Sequence, residues 1–566
     1  MISTVITLVA SGMVIGYVWL LGSGCSGTPI KATLVTASSM QRTLSNLAST
    51  WERTSPDVGG QCVGVSVREK PSVEVASRLG HGWDDRTDGA RPHIWVPEST
   101  AWLEMAKVGD NGAAMIPERT PLIASTPTVI AMPEPAAAAL GWNGGDGEPE
   151  VEPTWADLVT LAEESTWADY GEDEWGDITL GVSSPRQTTA GMHALLSLVT
   201  SESDGKVSAD ALDNAVRLKN ASKEVTSDVD GLLEGVRDAD AEGDAMDYVS
   251  AFPALERDVY RYNVNMKGDD SLVAVYPSDG SIDADHPYSV LQNAEWTSDT
   301  YQEIGEKFGE FLTSDEAQQM FIDDGFRDGT RRQGGDELNN TPGLVPQIEQ
   351  PKQEPPKPEA VNNTVTTWQA LTRPTNVLIA VDTSESMAAE QSLDGEDLTR
   401  LEIVQRKLGE ALNLFGDQAN VGLSQFSDGY DEILPMDEYT SDYKSEMQDA
   451  VESLEPGGGR ALHDASVGAY DELMSNYDED AVNLVVVISD GADDASDRDL
   501  EETESDLAAL NEGDPRAAIV TVGFGEDADA DSMEAIAAST TRGQYLPAKW
   551  GDELDMQLLN ALYNVV

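Results

Sequence analysis

The chain is poor in several things that would narrow its chemistry quickly. It has only two cysteines, Cys25 and Cys62, in 566 residues. That excludes a disulfide-dense scaffold and a multi-cysteine zinc site. The pair leaves two states open: a Cys25–Cys62 disulfide in an oxidising compartment, or a lipidated Cys25 with Cys62 standing alone. Basic residues are also scarce, with 35 Lys and Arg against 103 Asp and Glu, a formal net charge of -68. A surface of that sign repels phosphate, so nucleic acid and anionic headgroups are poor partners. A Gly-x-Ser-x-Gly elbow, a His-Glu-x-x-His helix and a Walker loop are all missing. Nothing supports cysteine nucleophilic chemistry, so a binding protein is expected and not an enzyme. No tandem repeat is visible.

What is present begins with the run VITLVASGMVIGYVWLL, from Val5 to Leu21, which carries no charge. At about 1.5 Å per residue it nearly spans a hydrocarbon core of about 30 Å. Residues 1–25 are therefore read as a transmembrane or signal segment, with the rest of the chain extracytoplasmic, either membrane-anchored or secreted. The first basic residue is Lys31, so flanking charge gives no orientation.

Residues 31–330 alternate β-rich runs (TLVTA, CVGVSV, HIWVP, PTVIAMP, ITLGVSS, SLVAVYP) with helical patterns such as MQRTLSNLASTWERT and TAGMHALLSLVTSES. Strands alternating with helices predict an α/β architecture. Residues 331–374 are rich in Pro, Gln and charge and are read as an extended, semi-rigid linker. From 375 to 566 the rhythm returns more strongly. NVLIAVD, NVGLSQF, NLVVVISD and AAIVTVGFG are nearly continuous apolar runs, as expected for a parallel sheet covered on both faces.

The sharpest motif is VLIAVDTSESM, in which a buried strand runs straight into Asp382, Thr383, Ser384, Glu385 and Ser386. The spacing Asp-x-Ser-x-Ser gathers a carboxylate and two hydroxyls on one turn, donors that suit a hard cation such as Mg²⁺, or Mn²⁺ or Ca²⁺. A second strand, LVVVIS, ends at Asp490, and ligands collect where parallel strands end. Asp382 and Asp490 should therefore meet at that edge. His463 and the run Asp527, Asp529, Asp531 read as structural, the latter as helix capping.

Together with GGGRALHDA, VVVISDGADD and IVTVGFGEDAD, this motif resembles the von Willebrand factor type A (VWA) family. The resemblance implies a doubly wound, Rossmann-like domain with a metal-ion-dependent adhesion site, which recognises a protein ligand through an acidic residue bound to the metal. Carried over to this chain, it implies Asp382, Ser384, Ser386 and Asp490 as the metal ligands, and also a Thr ligand from a second loop, but Arg460 stands at that position. A guanidinium has only donors and cannot ligate a cation. Either water fills the corner, or Arg460 weakens or replaces the metal.

The region before the linker resembles bacterial extracellular solute-binding proteins on ARPHIWVPESTAWL, IASTPTVIAMP, LVAVYPSDG and DGFRDGT, in an actinobacterial-type fusion with a VWA domain. The resemblance implies two α/β lobes around a ligand cleft. Read from the residues alone, hydroxyls at strand-to-helix junctions offer polar or anion-binding positions. The candidates are Ser38 and Ser39, Ser99 and Thr100, and Arg186 and Thr188, with Tyr260 and Tyr276 for the cleft wall. The expectation is a membrane-attached surface protein that binds a protein through its VWA domain. The alternative is a receptor for a small polar or anionic solute.

Overall fold

The computed structural model describes residues from 25 to 561. It leaves out 143–151, 200–208, 266–270, 371–373 and 513–516, together with shorter breaks, most of them between 332 and 370 and beyond 551. The apolar run Val5–Leu21 lies outside the described residues. Among those described, no helix is long and apolar enough to cross a membrane. The chain forms two compact units, one up to Asn214 and over Ala221–Val365, the other from Thr366 onward together with Ala215–Asn220.

The first unit holds two sheets. In one, the strands Ile94–Val96, Ser26–Thr36 and Gln61–Glu69 run parallel. Asp57–Val58 and Ser289–Val290 close its edges in antiparallel fashion. The second sheet is centred on Thr126–Pro133, which pairs antiparallel with Ser281–Ala284, Phe252–Leu255 and Leu272–Val275. A further parallel pair joins Leu180–Ser183 to Ser222–Thr226. The chain passes from the first sheet to the second, returns to the first at Ser289–Val290 and later rejoins the second at Lys352–Gln353, so the unit is two-lobed. Cys25 and Cys62 are joined in a disulfide, the first of the two states left open by the sequence.

Each lobe closes over its own apolar cluster. Leu34, Leu44, Ile94 and Phe308 are buried together in the first, and Val129, Phe252, Val259 and Leu272 in the second. The helix Ser38–Arg53 shows how sequence dictates this. Met40, Leu44, Leu47, Ala48 and Trp51 recur at helical spacing and are all buried, which leaves the polar face to solvent.

The segment expected to be an extended spacer is not one along its first part. Leu338 in the short helix Asp336–Asn339 is buried. Lys352–Gln353 adds a parallel strand beside Ser281–Ile282, and Val361 and Val365 join the cluster around Trp95 and Trp102. Its few apolar residues are too scattered to show periodicity, yet Leu338, Leu344, Val361 and Val365 are buried in the first unit.

The second unit is a six-stranded sheet. Its order is Tyr430–Glu438, Ala419–Phe426, Thr375–Asp382, Val482–Ser489, Ala517–Phe524 and Gln544–Ala548, all parallel except the first. Successive side chains point to opposite faces of a strand. Val377, Ile379, Val381, Val486 and Ile488 accordingly fill one core with the helix Arg400–Leu412. Leu378, Ala380, Val485, Val487 and Ile519 fill the other with the helix Leu462–Ser475. Both faces are covered, which is why these runs show no polar alternation. From the central strand Thr375–Asp382 the chain winds first to one side and then to the other. The crevice beyond Asp382 and Ser489 is therefore a topological switch point.

Candidate functional site

In the first unit the ends of strands from both lobes border a cleft of about 730 Å³. One wall comes from the first lobe: Ser38 and Ser39 after Ser26–Thr36, Glu69 at the end of Gln61–Glu69 and Glu74 beyond it, and Glu98 beyond Ile94–Val96. The facing wall holds Gln187 to Ala190 beyond Leu180–Ser183, Asp228 and Asp230 beyond Ser222–Thr226, and Arg257, Asp258 and Arg261 beyond Phe252–Leu255.

Two helix starts meet at one side chain in this cleft. The hydroxyl of Ser39 donates to Glu98 Oε1 at 2.6 Å, and that of Thr189 donates to Glu98 Oε2 at 2.7 Å. Thr189 in turn accepts from the indole N–H of the buried Trp102 at 2.9 Å. Since the indole only donates, the threonine proton is left for Glu98. Helix N-termini favour anions, and here the chain supplies its own.

The remaining charge is lopsided. Glu69, Glu74, Glu98, Asp228, Asp230 and Asp258 face the cleft against Arg257 and Arg261. Arg257 is already paired with Asp324 at 2.6 Å, and Glu74 with Lys70, which leaves the acids in surplus. Burial pushes the Asp258 carboxyl up to about 6 against the pull of Arg257, and Glu98 and Asp230 add to the rise.

Of the residues singled out in the sequence, Ser38, Ser39 and Thr188 line the cleft. The others do not, and the expectation is corrected for each. Ser99 is fully buried, capping the helix Thr100–Lys107 through the Ala101 N–H and meeting His193 Nε2 at 2.7 Å. Thr100 binds Asp285 through both its N–H and its hydroxyl. Arg186 is exposed outside the lining. Tyr260 donates to Glu337 at 3.2 Å. Tyr276 donates to Glu256, which also receives the buried guanidinium of Arg327. Arg186 apart, these are capping and core contacts, locally indistinguishable in sequence from a ligand site. The acids and arginines beyond residue 227 carry no local signal at all, because only the packing of the lobes turns them toward the cleft.

In the second unit, Asp382, Ser384, Ser386 and Asp490 do meet at one rim. Ser386 Oγ donates to Asp490 Oδ1 at 2.7 Å and lies 3.0 Å from Ser384 Oγ, while Asp382 Oδ1 accepts the Ser384 N–H at 2.8 Å. The loop before Leu462–Ser475 is tied to this turn: the Gly457 N–H donates to Thr383 O, and the Glu385 N–H donates to Gly458 O.

Arg460 enters the middle of the cluster. Its Nε donates to Asp382 Oδ2 at 2.8 Å and Nη1 to Ala492 O at 2.6 Å, while Nη2 donates to Asp490 Oδ1 at 2.7 Å and also to Ser386 Oγ. Ser489 adds a second donor to Asp382 Oδ2 at 2.6 Å. A second guanidinium, from Arg400, donates to Asp490 Oδ2 at 2.6 Å and reaches Asp527 at 3.3 Å. Sequence reasoning missed Arg400, which opens a helix far from either motif. At the start of the helix Leu462–Ser475 the His463 backbone N–H donates to Asp493 Oδ2 at 2.9 Å, and its Nδ1 lies 3.2 Å from Arg498 O. Asp529 caps the helix Ala530–Ala538.

The residues present do not fit a divalent cation. Each of the four carboxylate oxygens of Asp382 and Asp490 already accepts a donor. Two carboxylates are balanced by two guanidiniums, and the position a family threonine would take is filled by a group that only donates. The four predicted ligands are thus correctly gathered, but they serve a built-in cation.

Comparison with known proteins agrees with the two units. The bacterial extracellular solute-binding protein family matches residues 32–327, and the von Willebrand factor type A domain matches 376–557. No curated protein matches the chain. Among solved structures, a von Willebrand factor type A protein from Catenulispora acidiphila is similar over 34% of this chain, at 14% identity and a TM-score of 0.29. The alignment spans 43% of that protein, less than half its length. The substrate binding domain of a putative molybdenum ABC transporter from Clostridium difficile is similar over 53% of this chain and 99% of its own, at 15% identity and a TM-score of 0.32. BatB from Bacteroides thetaiotaomicron is similar over 34% of this chain and 98% of its own, at 18% identity and a TM-score of 0.27.

Proposed function

We propose that this chain, which belongs to the bacterial extracellular solute-binding proteins and carries a von Willebrand factor type A domain after that module, is an extracytoplasmic receptor that takes a small, positively charged polar solute in its cleft. The second unit docks a protein. An extracytoplasmic location is supported by the family and by the Cys25–Cys62 disulfide.

The observation that carries the solute reading is the surplus of carboxylates facing the cleft, with Arg257 already neutralised by Asp324. A cleft lined by one sign of charge concentrates counter-ions. The point where an anion would be held between two helix starts is taken by Glu98. The anionic half of the sequence-based expectation is therefore replaced by a cationic one.

Titration calorimetry of the full chain tests this, with a diamine, a quaternary ammonium compound and a basic amino acid set against sulfate and molybdate. Cation binding is expected, weakened about tenfold or more by Asp258→Asn, as for loss of a close charge partner. Tight oxyanion binding with the cations silent would overturn the reading.

A further inference from the structure

We propose that the rim of the second unit is a cation site whose cation is built in. The Arg460 guanidinium stands where a divalent ion would, so the domain folds and presents this rim without metal.

Three observations converge. The first is the fork itself, which bridges both aspartates and Ser386 while Ala492 O takes a further N–H. Arginine's planar donors suit such bridging, whereas an ammonium would act only as a point charge. The second is that the main chain of Arg460 is held on both sides. Its N–H donates to Asp494 Oδ1 at 2.6 Å, and its carbonyl accepts from the N–H groups of Asp494 and Ala495. The third is the slot. A Cβ placed on Gly491 would lie 2.5 Å from Arg460 Nη1, so glycine at this position leaves room for the guanidinium. Arg400 supplies the second positive charge at Asp490, and the pair of carboxylates is neutral before any ion arrives.

The test is a calorimetric scan of the full chain with Mn²⁺ or with EDTA, together with Mn²⁺ electron paramagnetic resonance. Salt of about 0.15 M screens diffuse binding to the acidic surface. For the wild type, neither addition should shift the second unit's transition, and no saturable site should appear. Arg460→Thr should gain one saturable Mn²⁺ site, and its transition should rise by roughly 5 °C at saturating metal. A variant that folds only with Mn²⁺ counts the same way. If Arg460→Thr fails to fold in either condition, Arg460→Gln takes its place with the same expectation. Saturable Mn²⁺ stabilisation of the wild type would overturn the proposal, and so would a folded variant that ignores the metal.

Discussion

The two units handle an internal charge in opposite senses. In the cleft of the first, a carboxylate, Glu98, sits between hydroxyls at two helix starts. At the rim of the second, a guanidinium, Arg460, sits between two aspartates. Each side chain fills the place where its fold offers a ligand of the same sign. The consequences differ because the surroundings differ. Glu98 lies among further acids in an open cleft, so filling that position leaves a net negative cavity, the basis of the proposed cation binding. Arg460 lies in a closed, balanced cluster, so filling the cation position completes it.

The largest break in this contrast is expected from Asp382→Ala. Asp382 is fully buried, and its loss leaves the Arg460 Nε and the Ser489 hydroxyl without their acceptor. Breaking a buried pair costs about 3–5 kcal/mol, read in urea denaturation as an earlier transition of the second unit. An unchanged midpoint would show that the cluster adds nothing to stability.

Next comes Glu256→Gln, in a buried pair of the first unit that takes no part in the cleft. Glu256 and Arg327 both have 0% side-chain exposure, so a loss of about 3 kcal/mol is expected. Arg327 also donates to the carbonyls of Val345 and Pro346. Faster proteolysis near residue 345 should therefore accompany the loss, and a stable, protease-resistant variant would contradict this.

Glu98→Gln should cost less, about 1–3 kcal/mol, since two hydroxyls lose a charged acceptor. It also sharpens the comparison: sulfate should stabilise this variant and not the wild type. Sulfate stabilisation of both would mean Glu98 does not occupy the anion position.

The smallest effect is on pH, and it concerns the first unit. Burial holds the imidazoles of His193 and His286 down, each to about 3. These pKa values are depressed on folding, so below about 6.5 the unfolded state takes the proton first and stability is lost as pH falls. Asp258 and Asp283 are raised to about 6, chiefly by burial. The folded state takes their protons first, so they add stability as pH falls from about 6 toward 3.8. The histidines act first, and acidification from pH 7 to about 6 should lower the first unit's midpoint. Below that the carboxyls should flatten the slope. A midpoint rising steadily from pH 7 would refute the histidine assignment. Cation affinity in the cleft should fall through the same region as Asp258 protonates.

Much of this was legible in the sequence. VLIAVD and LVVVIS read as buried parallel strands because every residue of such a strand needs an apolar partner. Parallel strands end at one edge, which put Asp382 and Asp490 on the same rim; that their strands are adjacent is set by the sheet order. The first-unit hydroxyls were less legible. Ser38 and Ser99 both stand at the start of helices after strands, yet one lines the cleft and the other is a buried cap. The difference lies in which side of the lobe each helix covers, and residues distant in sequence decide that. Asp230 and Asp258 had no signal in a chain where acids are everywhere.

The order of elements, the two α/β modules and the gathering of oxygen donors at one rim followed from the sequence, through apolar periodicity and strand direction. At the rim the sequence already set Arg460 at the implied Thr position and left open whether it replaces the metal; the tertiary structure decided that, and it alone put Glu98 between the two helix starts of the cleft. Ion pairing depends on separation in space, and the groups that settle it stand far apart along the chain, Arg460 78 residues from Asp382 and Thr189 91 from Glu98.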